Sequence, residues 1–401
     1  MNVDIVVVGA GPAGLCFAKS LADTGLRIVV VEQQSVDALR EPAFDGREIA
    51  LTQRSMRILR ELGLWARLEP ADISPLRSAR VLSGRSPQGL SVVPSGTGHP
   101  ELGFLVPNDR IRRAAHACIE GEPRITLVSD TAVSAIHLAA GAPRLTLSNG
   151  ASVSARLVVA ADSRYSQLRR DVGIAADLHD FGRTMLVCRM ALEKPHGHEA
   201  LEWFDHGQTL ALLPLHDDEA SIVLTLSGQA MRTVMAMDEG QFNEEMRRRF
   251  AGRFGRMRLT STRHAYPLVA AYARRFVAPR FALIGDAAVG MHPVTAHGFN
   301  LGLLSVEALA AEIRRAHASG QDIAASPVLQ RYQRSHRMAT RSLYLATLAI
   351  VKLFTDDRLP ARLARSALLQ ASQAMPPFRL TLARMLAADG RGRCSTPSAA
   401  S

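Results

Sequence analysis

Near its N-terminus the chain reads Asp4-Ile5-Val6-Val7-Val8-Gly9-Ala10-Gly11-Pro12-Ala13-Gly14. An apolar strand leads into a Gly-x-Gly-x-x-Gly turn, and a helical run follows to Thr24, with Gly25 as its C-cap. A second apolar strand then ends in Glu32. This order of strand, glycine turn, helix, strand and acid predicts a βαβ unit that binds a dinucleotide.

Each residue of the turn has its own predicted task. Gly9 permits the tight turn, Gly11 lets the backbone approach a pyrophosphate, and Gly14 allows the helix to pack closely on the strand. Pro12 suits the first helical position, where its missing N–H is not needed, and Ala13 follows it in the turn that faces the phosphates. We therefore expect these five residues to contact the cofactor.

The residue at the end of the second strand narrows the choice of nucleotide. Glu32 stands 18 positions after Gly14, close to the roughly 20 expected for a carboxylate that accepts from a ribose hydroxyl. An acid there favours FAD or NAD over a 2′-phosphorylated nucleotide. The fingerprint alone leaves both FAD and NAD open.

Two later strands end in polar groups as well. One apolar strand ends in Asp162, and another leads into Gly285 and Asp286 before a helical run that starts near Gly298. Ligands of open α/β sheets bind beyond the carboxyl ends of the strands, so these ends predict a site for an extended cofactor. Asp286 would meet a polyol chain, and the helix would turn its N–H groups toward the carbonyl end of a ring. Each aspartate alone fits a turn or an N-cap equally well, but their joint spacing favours FAD.

With these motifs in place, the chain resembles the class A flavoprotein monooxygenases, which are aromatic hydroxylases with a single FAD, and among them the ubiquinone-biosynthesis hydroxylases. The resemblance covers nearly the whole length. The segment from Asp45 through Arg47 is similar to the family segment whose arginine lies near the pyrophosphate, and Arg110 corresponds to a helix residue that touches FAD. Asp162 with Ser166 and Arg169 matches the second nucleotide motif. The cofactor-binding residues that the fingerprint and the resemblance together imply are Gly9, Gly11, Pro12, Ala13, Gly14, Glu32, Arg47, Arg110, Asp162, Gly285, Asp286, Pro293, Gly298, Phe299 and Asn300.

Three positions depart from the family pattern. Ser163 replaces a glycine, Val289 replaces a frequent His or Asn, and His297 replaces a glutamine. Ser163 would weaken a close backbone approach if its position requires a positive φ. His297 is the candidate catalytic residue, because a histidine beside a flavin can relay a proton to or from a phenolic substrate; a surface or hydrogen-bonded loop histidine is the alternative. Ser163 and His297 point to a divergent branch, such as a demethoxyubiquinol 5-hydroxylase.

The resemblance implies the fold class and the division into domains. We expect an α/β fold with a Rossmann-like FAD-binding domain, an inserted antiparallel-sheet substrate domain and a C-terminal helical region. Runs at 185–192, 201–204, 209–215 and 221–227 predict antiparallel strands, and one helix is predicted over about 238–254. The expected ranges are 1–71, 101–178 and 266–334 for the FAD domain, 72–100 and 179–265 for the substrate domain, 335–390 for the C-terminal helices and 391–401 for a disordered tail.

The residues at 348–390 resemble the helical tail of the ubiquinone hydroxylases. Apolar runs alternate there with arginines, a pattern typical of helices that rest on an anionic membrane. The same spacing also fits helices that simply cover the FAD domain. Both interpretations stay open.

Composition limits the classes of partner. The chain has 401 residues, of which 47% are hydrophobic, and a net charge of +11 with a pI near 10.3. This balance suits nucleic acid, a membrane or an acidic partner, but only 5% of residues are aromatic and no nucleic-acid module is recognisable, so nucleic acid is not expected. With no apolar run near 18 residues and no signal peptide, we expect a cytoplasmic protein, at most peripheral on the inner face of the membrane. Four scattered cysteines predict reduced thiols and no metal site.

The resemblance implies hydroxylation of a polyprenylated phenol or quinol by O2 through a flavin C4a-hydroperoxide, beside other quinone-biosynthesis proteins. No second dinucleotide motif is present, so NAD(P)H without a domain of its own or a partner reductase would supply electrons. Alternatives are a hydroxylase of a small soluble aromatic, a flavin reductase acting on prenyl chains, and a non-catalytic flavin- or lipid-binding subunit of a quinone-synthesis complex. A flavin halogenase is disfavoured, because Trp65 and Trp203 cannot form its tryptophan motif.

Overall fold

The structure, a computed structural model, describes residues 1–84, 89–94, 98–138, 141–205, 207–293 and 297–355. The predicted tail 391–401 and most of the predicted C-terminal helices lie outside these residues. The strands are β1 Asn2–Val8, β2 Ile28–Val31, β3 Glu48–Leu51, β4 Ser74–Leu76, β5 Ser78–Ser83, β6 Leu90–Val92, β7 Gly103–Pro107, β8 Ile125–Val128, β9 Val133–His137, β10 Arg144–Leu147, β11 Ser152–Ala160, β12 Ala176–Leu192, β13 Glu199–Asp205, β14 Gln208–Pro214, β15 Glu219–Ser227, β16 Met257–Leu259, β17 His264–Ala273, β18 Val277–Ala278, β19 Phe281–Leu283 and β20 Val289–Gly290. The helices are α1 Pro12–Lys19, α2 Val36–Arg40, α3 Gln53–Glu61, α4 Asn108–Ala117, α5 Gln167–Asp171, α6 Gly228–Met235, α7 Glu239–Arg249, α8 Gly298–Ala318 and α9 Ser326–Thr355.

The first sheet confirms the predicted α/β fold. Its order is β18-β19-β11-β1-β2-β8, with β10 and β9 added beside β11. The pairs β19–β11, β11–β1, β1–β2 and β2–β8 are all parallel. The central strand is buried on both faces, which explains its continuous valine and isoleucine run. The carboxyl ends of β1, β11 and β19 therefore lie at one edge, as the sequence predicts.

The second sheet has nine strands in the order β20-β17-β12-β15-β14-β13-β5-β6, with β16 beside β12. The four predicted antiparallel strands are confirmed as parts of β12, β13, β14 and β15. The single helix predicted over 238–254 is wrong in its bounds. It begins after the Asp238 capping box but ends at Arg249, because the chain turns through positive φ angles at Ala251 and Gly252, and a separate helix, α6, precedes it.

The strand pairing crosses the predicted domain boundaries. β5 and β6 belong to the second sheet, whereas β4 pairs with β7 in a third sheet of order β3-β7-β4. β12 begins at Ala176 and β17 continues to Ala273, so the second sheet extends on both sides of the expected range 179–265. The exact domain ranges stay a prediction.

Helix α9 contacts both large sheets. The hydroxyl of Tyr332 donates to the carbonyl of Leu283 in the first sheet at 2.5 Å, and Thr340 shares a hydrogen bond of 3.2 Å with Tyr272 in the second. These bonds are buried, so α9 fixes one sheet relative to the other. Across the described part of the chain, no helix combines the length and apolar character that crossing a bilayer requires.

Candidate functional site

The glycine turn has the geometry that a bound pyrophosphate requires. Gly9 has a φ of 105°, and a Cβ there would lie 2.6 Å from the carbonyl oxygen of Ala161. A Cβ on Gly14 would collide with the carbonyl oxygen of Gly9. At Gly11, by contrast, φ is −65° and no described atom lies within 4 Å of a Cβ position. The packing of the described residues therefore does not demand a glycine at 11, and the open space beside it fits a phosphate.

The carboxylate of Glu32 lies over this turn. Its oxygens accept from the backbone N–H of Ala10 at 2.7 Å and of Gln34 at 2.9 Å. These bonds fix the carboxylate at the end of β2, and each oxygen keeps a lone pair for a ribose hydroxyl. The location predicted for Glu32 is therefore the observed one, while its contact with the cofactor stays a prediction.

Helix α4 carries two arginines that are candidates for the cofactor site, Arg110 and Arg112. Arg110 pairs with Asp72 at 3.3 Å and with Asp109 at 3.5 Å. Arg112 instead donates to the side chain of Gln34 at 2.9 Å, beside the Glu32 carboxylate. Arg112 is thus a candidate cofactor residue that sequence reasoning missed, and the role of Arg110 stays a prediction.

The Gly285 turn packs directly against the start of α1. Gly285 has a φ of 59°, its N–H donates to Ser305 at 2.9 Å, and a Cβ there would lie 3.0 Å from the Cβ of Ala13. The next residue, Asp286, pairs with Arg164 at 3.0 Å and is partly exposed. The predicted meeting of these strand ends is therefore observed, and Arg164 is a partner that the sequence did not reveal.

Asp162 lies beside Gly9 and has one unsatisfied oxygen. Its Oδ2 accepts from the N–H of Gln167 at 3.0 Å, whereas Oδ1 is buried and has no hydrogen-bond partner among the described residues. A buried carboxylate oxygen is costly without a donor, so it fits a site that a ligand completes.

The residue after Asp162, Ser163, has no positive φ, so its departure from the family glycine causes no backbone strain of that kind. The buried Arg169 donates to the carbonyl of Ala287 at 3.1 Å and ties this segment to the Gly285 turn.

The first turn of α8 is anchored to β3 through one side chain. Asn300 donates to the carbonyl of Ala50 at 2.8 Å and accepts from the N–H of Thr52 at 3.1 Å. Because the side chain makes these bonds, we expect the backbone of this turn to make the contact with the cofactor. His297 is only 9% exposed and lies at the N-cap, which excludes a surface position, while a hydrogen-bonded histidine without a catalytic role stays an alternative. Pro293 is exposed, Gly298 has open space at its Cβ position, and Phe299 packs on the main core.

Arg47 lies in a polar cluster near Asp286. Its guanidinium binds Asp45 at 2.6 Å and stacks over the ring of Tyr266, while Asn108 also donates to Asp45 at 2.8 Å. Burial alone would raise the pKa of Asp45, but the hydrogen bond and charge of Arg47 outweigh it and lower that pKa. The charge of Asp286 also acts on Arg47, so the two predicted cofactor residues share one electrostatic environment.

One face of the second sheet covers this segment. A Cβ on Gly46 would lie 2.8 Å from Val187 and 3.1 Å from His264. We call the side of the sheet that carries Val187 the cofactor-side face. Next to this contact lies an apolar cluster formed by Met185, Val187 and Leu268 with the partly buried Phe181, Val223 and Tyr266.

The sequence analysis gave no role to two further groups near this face. Arg189 donates to the buried carboxylate of Glu48 at 2.6 Å, and burial raises the pKa of Glu48 to about 7 although Arg189 opposes that shift. The ring of His292 packs edge-on against the ring of Phe181, with 4.6 Å between the ring centroids. Burial and the charge of Arg164 lower the pKa of His292 to about 4, so its imidazole is neutral at pH 7. Neither pair has a local signal, because the partners lie far apart in sequence.

A dinucleotide turn that meets a second glycine turn, together with a sheet face that carries an apolar patch, is the arrangement expected of an FAD-dependent monooxygenase. The chain matches the FAD binding domain family over residues 2–343 and belongs to that family. It is 43% identical to the ubiquinone hydroxylase UbiM of Neisseria meningitidis over 96% of this chain and 85% of that protein. It is 33% identical to the ubiquinone hydroxylase UbiL of Rhodospirillum rubrum over 94% of this chain and 87% of that protein. The family resemblance inferred from the motifs is thereby confirmed.

A solved structure shares the fold. PqsL from P. aeruginosa, in complex with 2-aminobenzoylacetate, superposes with a TM-score of 0.76 at 24% identity, over 89% of this chain and 97% of that chain. At this identity the likeness supports the fold alone. It agrees with the expected combination of a Rossmann-like domain and an antiparallel substrate sheet.

Proposed function

We propose that this protein hydroxylates the aromatic ring of a polyprenylated phenol or quinol in ubiquinone biosynthesis. The observation that carries the proposal is the apolar patch around Met185, Val187 and Leu268 beside the Arg47 segment. Arg189, two residues after Val187 on β12, is engaged by Glu48, so it is not free to bind an acidic substrate. An uncharged, lipophilic ring fits this surface better than a small aromatic acid. The similarity to UbiM and UbiL supports the same reaction class.

FAD, once reduced by NAD(P)H or a partner reductase, supplies the activation of O2 that aromatic hydroxylation needs. The glycine turns would hold the cofactor, and the backbone N–H groups in the first turn of α8 would stabilise negative charge that develops on it. His297, buried at that turn, would take up or return the phenolic proton at an imidazole nitrogen. The apolar patch would orient the ring and exclude water.

The test is the quinone profile of a cell that lacks the gene, together with the purified protein. We expect a yellow protein whose oxygen consumption rises when a reductant and a prenylated phenol are added. The deleted cell should accumulate an intermediate that lacks one ring hydroxyl, and the accumulated compound identifies the ring position. A deleted cell with normal ubiquinone would contradict the pathway assignment. Bound FAD without substrate-stimulated oxygen consumption would favour the non-catalytic binding subunit.

We also propose peripheral contact of α9 with the inner face of the membrane. Between residues 338 and 350 this helix exposes Met338, Leu345 and Ile350, at 76%, 52% and 37%. Exposed apolar groups on a basic protein suit a surface with anionic lipids, where such a substrate resides. Flotation with anionic vesicles should recover the wild type and less of a Met338→Ser, Leu345→Ser variant. Equal recovery of both would contradict this contact.

A further inference from the structure

Glu202 lies at the end of a row of side chains across the second sheet. The register pairs His264 with Val187, Val187 with Val223, Val223 with Ala211, and Ala211 with Glu202. Residues directly opposite each other on neighbouring strands share one face of a sheet. Glu202 is therefore on the cofactor-side face, in the row whose other end contacts Gly46.

The neighbours of Glu202 along β13 confirm this orientation. Leu201 and Trp203 are each 6% exposed and pack in a separate core with residues of α6 and α7. Successive side chains of a strand point to opposite faces, so Glu202 points away from that core.

Among the described residues of β13, β14 and β5, the positions around Glu202 on this face carry no ionisable side chain. Ala211 and Val81 are its direct partners on the flanking strands. The next positions on the same face of β13, β14 and β5 are Ala200, Phe204, Thr209, Leu213, Ala79 and Ser83. Burial consequently raises the pKa of Glu202 to about 8, so the carboxyl is a neutral acid at pH 7.

The carboxyl group has no hydrogen-bond or ion-pair partner among the described residues, yet the residue is only half-buried. Packed among apolar neighbours with no partner among the described residues, the carboxyl contributes nothing to the fold that an apolar side chain of similar size would not contribute. A ligand that supplies the missing partner would account for an acid at this position. A neutral acid donates one O–H bond and also accepts, which suits a hydroxyl, methoxy or carbonyl oxygen, whereas a ligand carboxylate would have to place its charge in the same apolar surroundings, which costs free energy.

We propose that Glu202 is a substrate-binding residue whose carboxyl donates a hydrogen bond to an oxygen of an uncharged aromatic ligand on the cofactor-side face. This inference rests on the proposed function and deepens it, because it selects neutral phenols and quinols over aromatic acids. Glu202 sets the position of the ring and takes no part in the transfer of oxygen.

The experiment measures binding of a 2-methoxyphenol with a short prenyl chain to the FAD-loaded protein by the change in flavin absorbance. We expect Glu202→Leu to weaken binding by about tenfold, the effect of one lost hydrogen bond, and Glu202→Gln to stay within about threefold of wild type. The unfolding midpoint of Glu202→Leu should equal or exceed that of wild type. The matched control is Glu199→Gln on the opposite face of β13, where Glu199 pairs with Arg80 at 3.5 Å; its binding should be unchanged.

Two readouts separate this role from a structural one. Wild-type affinity should fall as pH rises through about 8, because the donated proton is lost, whereas Glu202→Gln should show no such fall. The infrared difference between wild type and Glu202→Gln at pH 7 should contain the C=O band of a protonated carboxyl.

Three results would overturn the proposal: wild-type affinity in Glu202→Leu, lost binding together with a lowered unfolding midpoint, or no protonated carboxyl band at pH 7. Wild-type protein that binds the methoxyphenol through Glu202 but consumes no oxygen would instead contradict only the proposed function. Wild-type protein that does not bind it would contradict both.

Discussion

The carboxylate of Asp286 pairs with Arg164 at 3.0 Å and is predicted to bind the polyol chain of FAD. We expect Asp286→Ala to lower the FAD content of purified protein several-fold. Since the carboxylate is 37% exposed, loss of the ion pair should change the free energy of unfolding by less than about 1 kcal/mol. Flavin absorbance per chain and urea unfolding measure the two effects. Asp177→Ala, which removes the exposed pair with Arg274, is the control, and full FAD content in Asp286→Ala would exclude Asp286 from the site.

Gly11 and Gly14 differ in what an added methyl group would meet. Gly11→Ala places its Cβ in open space, so we expect a fold weakened by no more than about 1 kcal/mol and FAD affinity reduced by roughly tenfold or more. Gly14→Ala drives its Cβ into the carbonyl of Gly9, so the apoprotein itself should lose stability. Titration with FAD and thermal unfolding of the apoproteins separate the effects. Unaltered FAD affinity in Gly11→Ala would contradict the phosphate site.

The sequence predicts residues of the turns better than residues of helices. The positions of the glycine turns and of Glu32 were predicted correctly, because a glycine turn or a strand end restricts where the next residue can lie. On α4, residues 110 and 112 point to different sides, and the sequence does not say which side faces α1 and α2. Asn300 shows a similar limit, since its side chain bonds to β3, about 250 positions away.

At the scale of elements, the bonds of Asn300 hold the first turn of α8 against β3. Asn300→Ala leaves the buried N–H of Thr52 and carbonyl of Ala50 without these partners, so we expect a loss of about 2–3 kcal/mol of unfolding free energy. FAD affinity should fall too, because the helix start would shift. Urea unfolding tests this, with Asn149→Ala in an exposed turn as the control. A loss equal to that of the control would show that α8 does not depend on this clamp.

An element is predictable from the sequence when its hydrophobic pattern continues over many residues. Strands β12 to β15 were found because alternation continues over many residues between turns. Helix α6 was missed, since its eight residues are too few to establish a helical period around the buried Met231 and Val234. The end of α7 depends on a positive φ at Ala251, a residue type that gives no warning of it.

At the scale of the whole molecule, the alternation of side chains predicts which residues of one strand share a sheet face. It does not predict which residues of other strands lie opposite them. The pairing of β5 with β13 joins Ser78 to Glu199, and Arg189 reaches Glu48 from another sheet. Such contacts depend on the packing of complete sheets, and no local pattern encodes them. The candidate substrate residue Glu202 became recognisable only once this register was known.

The stability of the whole molecule should depend on the protonation of His336 in α9. The ring is 2% exposed and stacks on Tyr332, and burial lowers its pKa to about 4. Above pH 6.5, the ordinary pKa of an unfolded histidine, the ring is neutral in both states and its burial costs no stability. As pH falls from 6.5 toward 4, the unfolded state takes up a proton that the folded state does not, so the free energy of unfolding decreases. Between pH 7.5 and 4.5 we therefore expect His336→Leu to gain about 2.5 kcal/mol relative to wild type in urea unfolding. The control is His137→Leu at an exposed position, which should show no comparable gain. If wild type and His336→Leu had parallel pH dependences, the protonation of His336 would not change on unfolding and the prediction would be wrong.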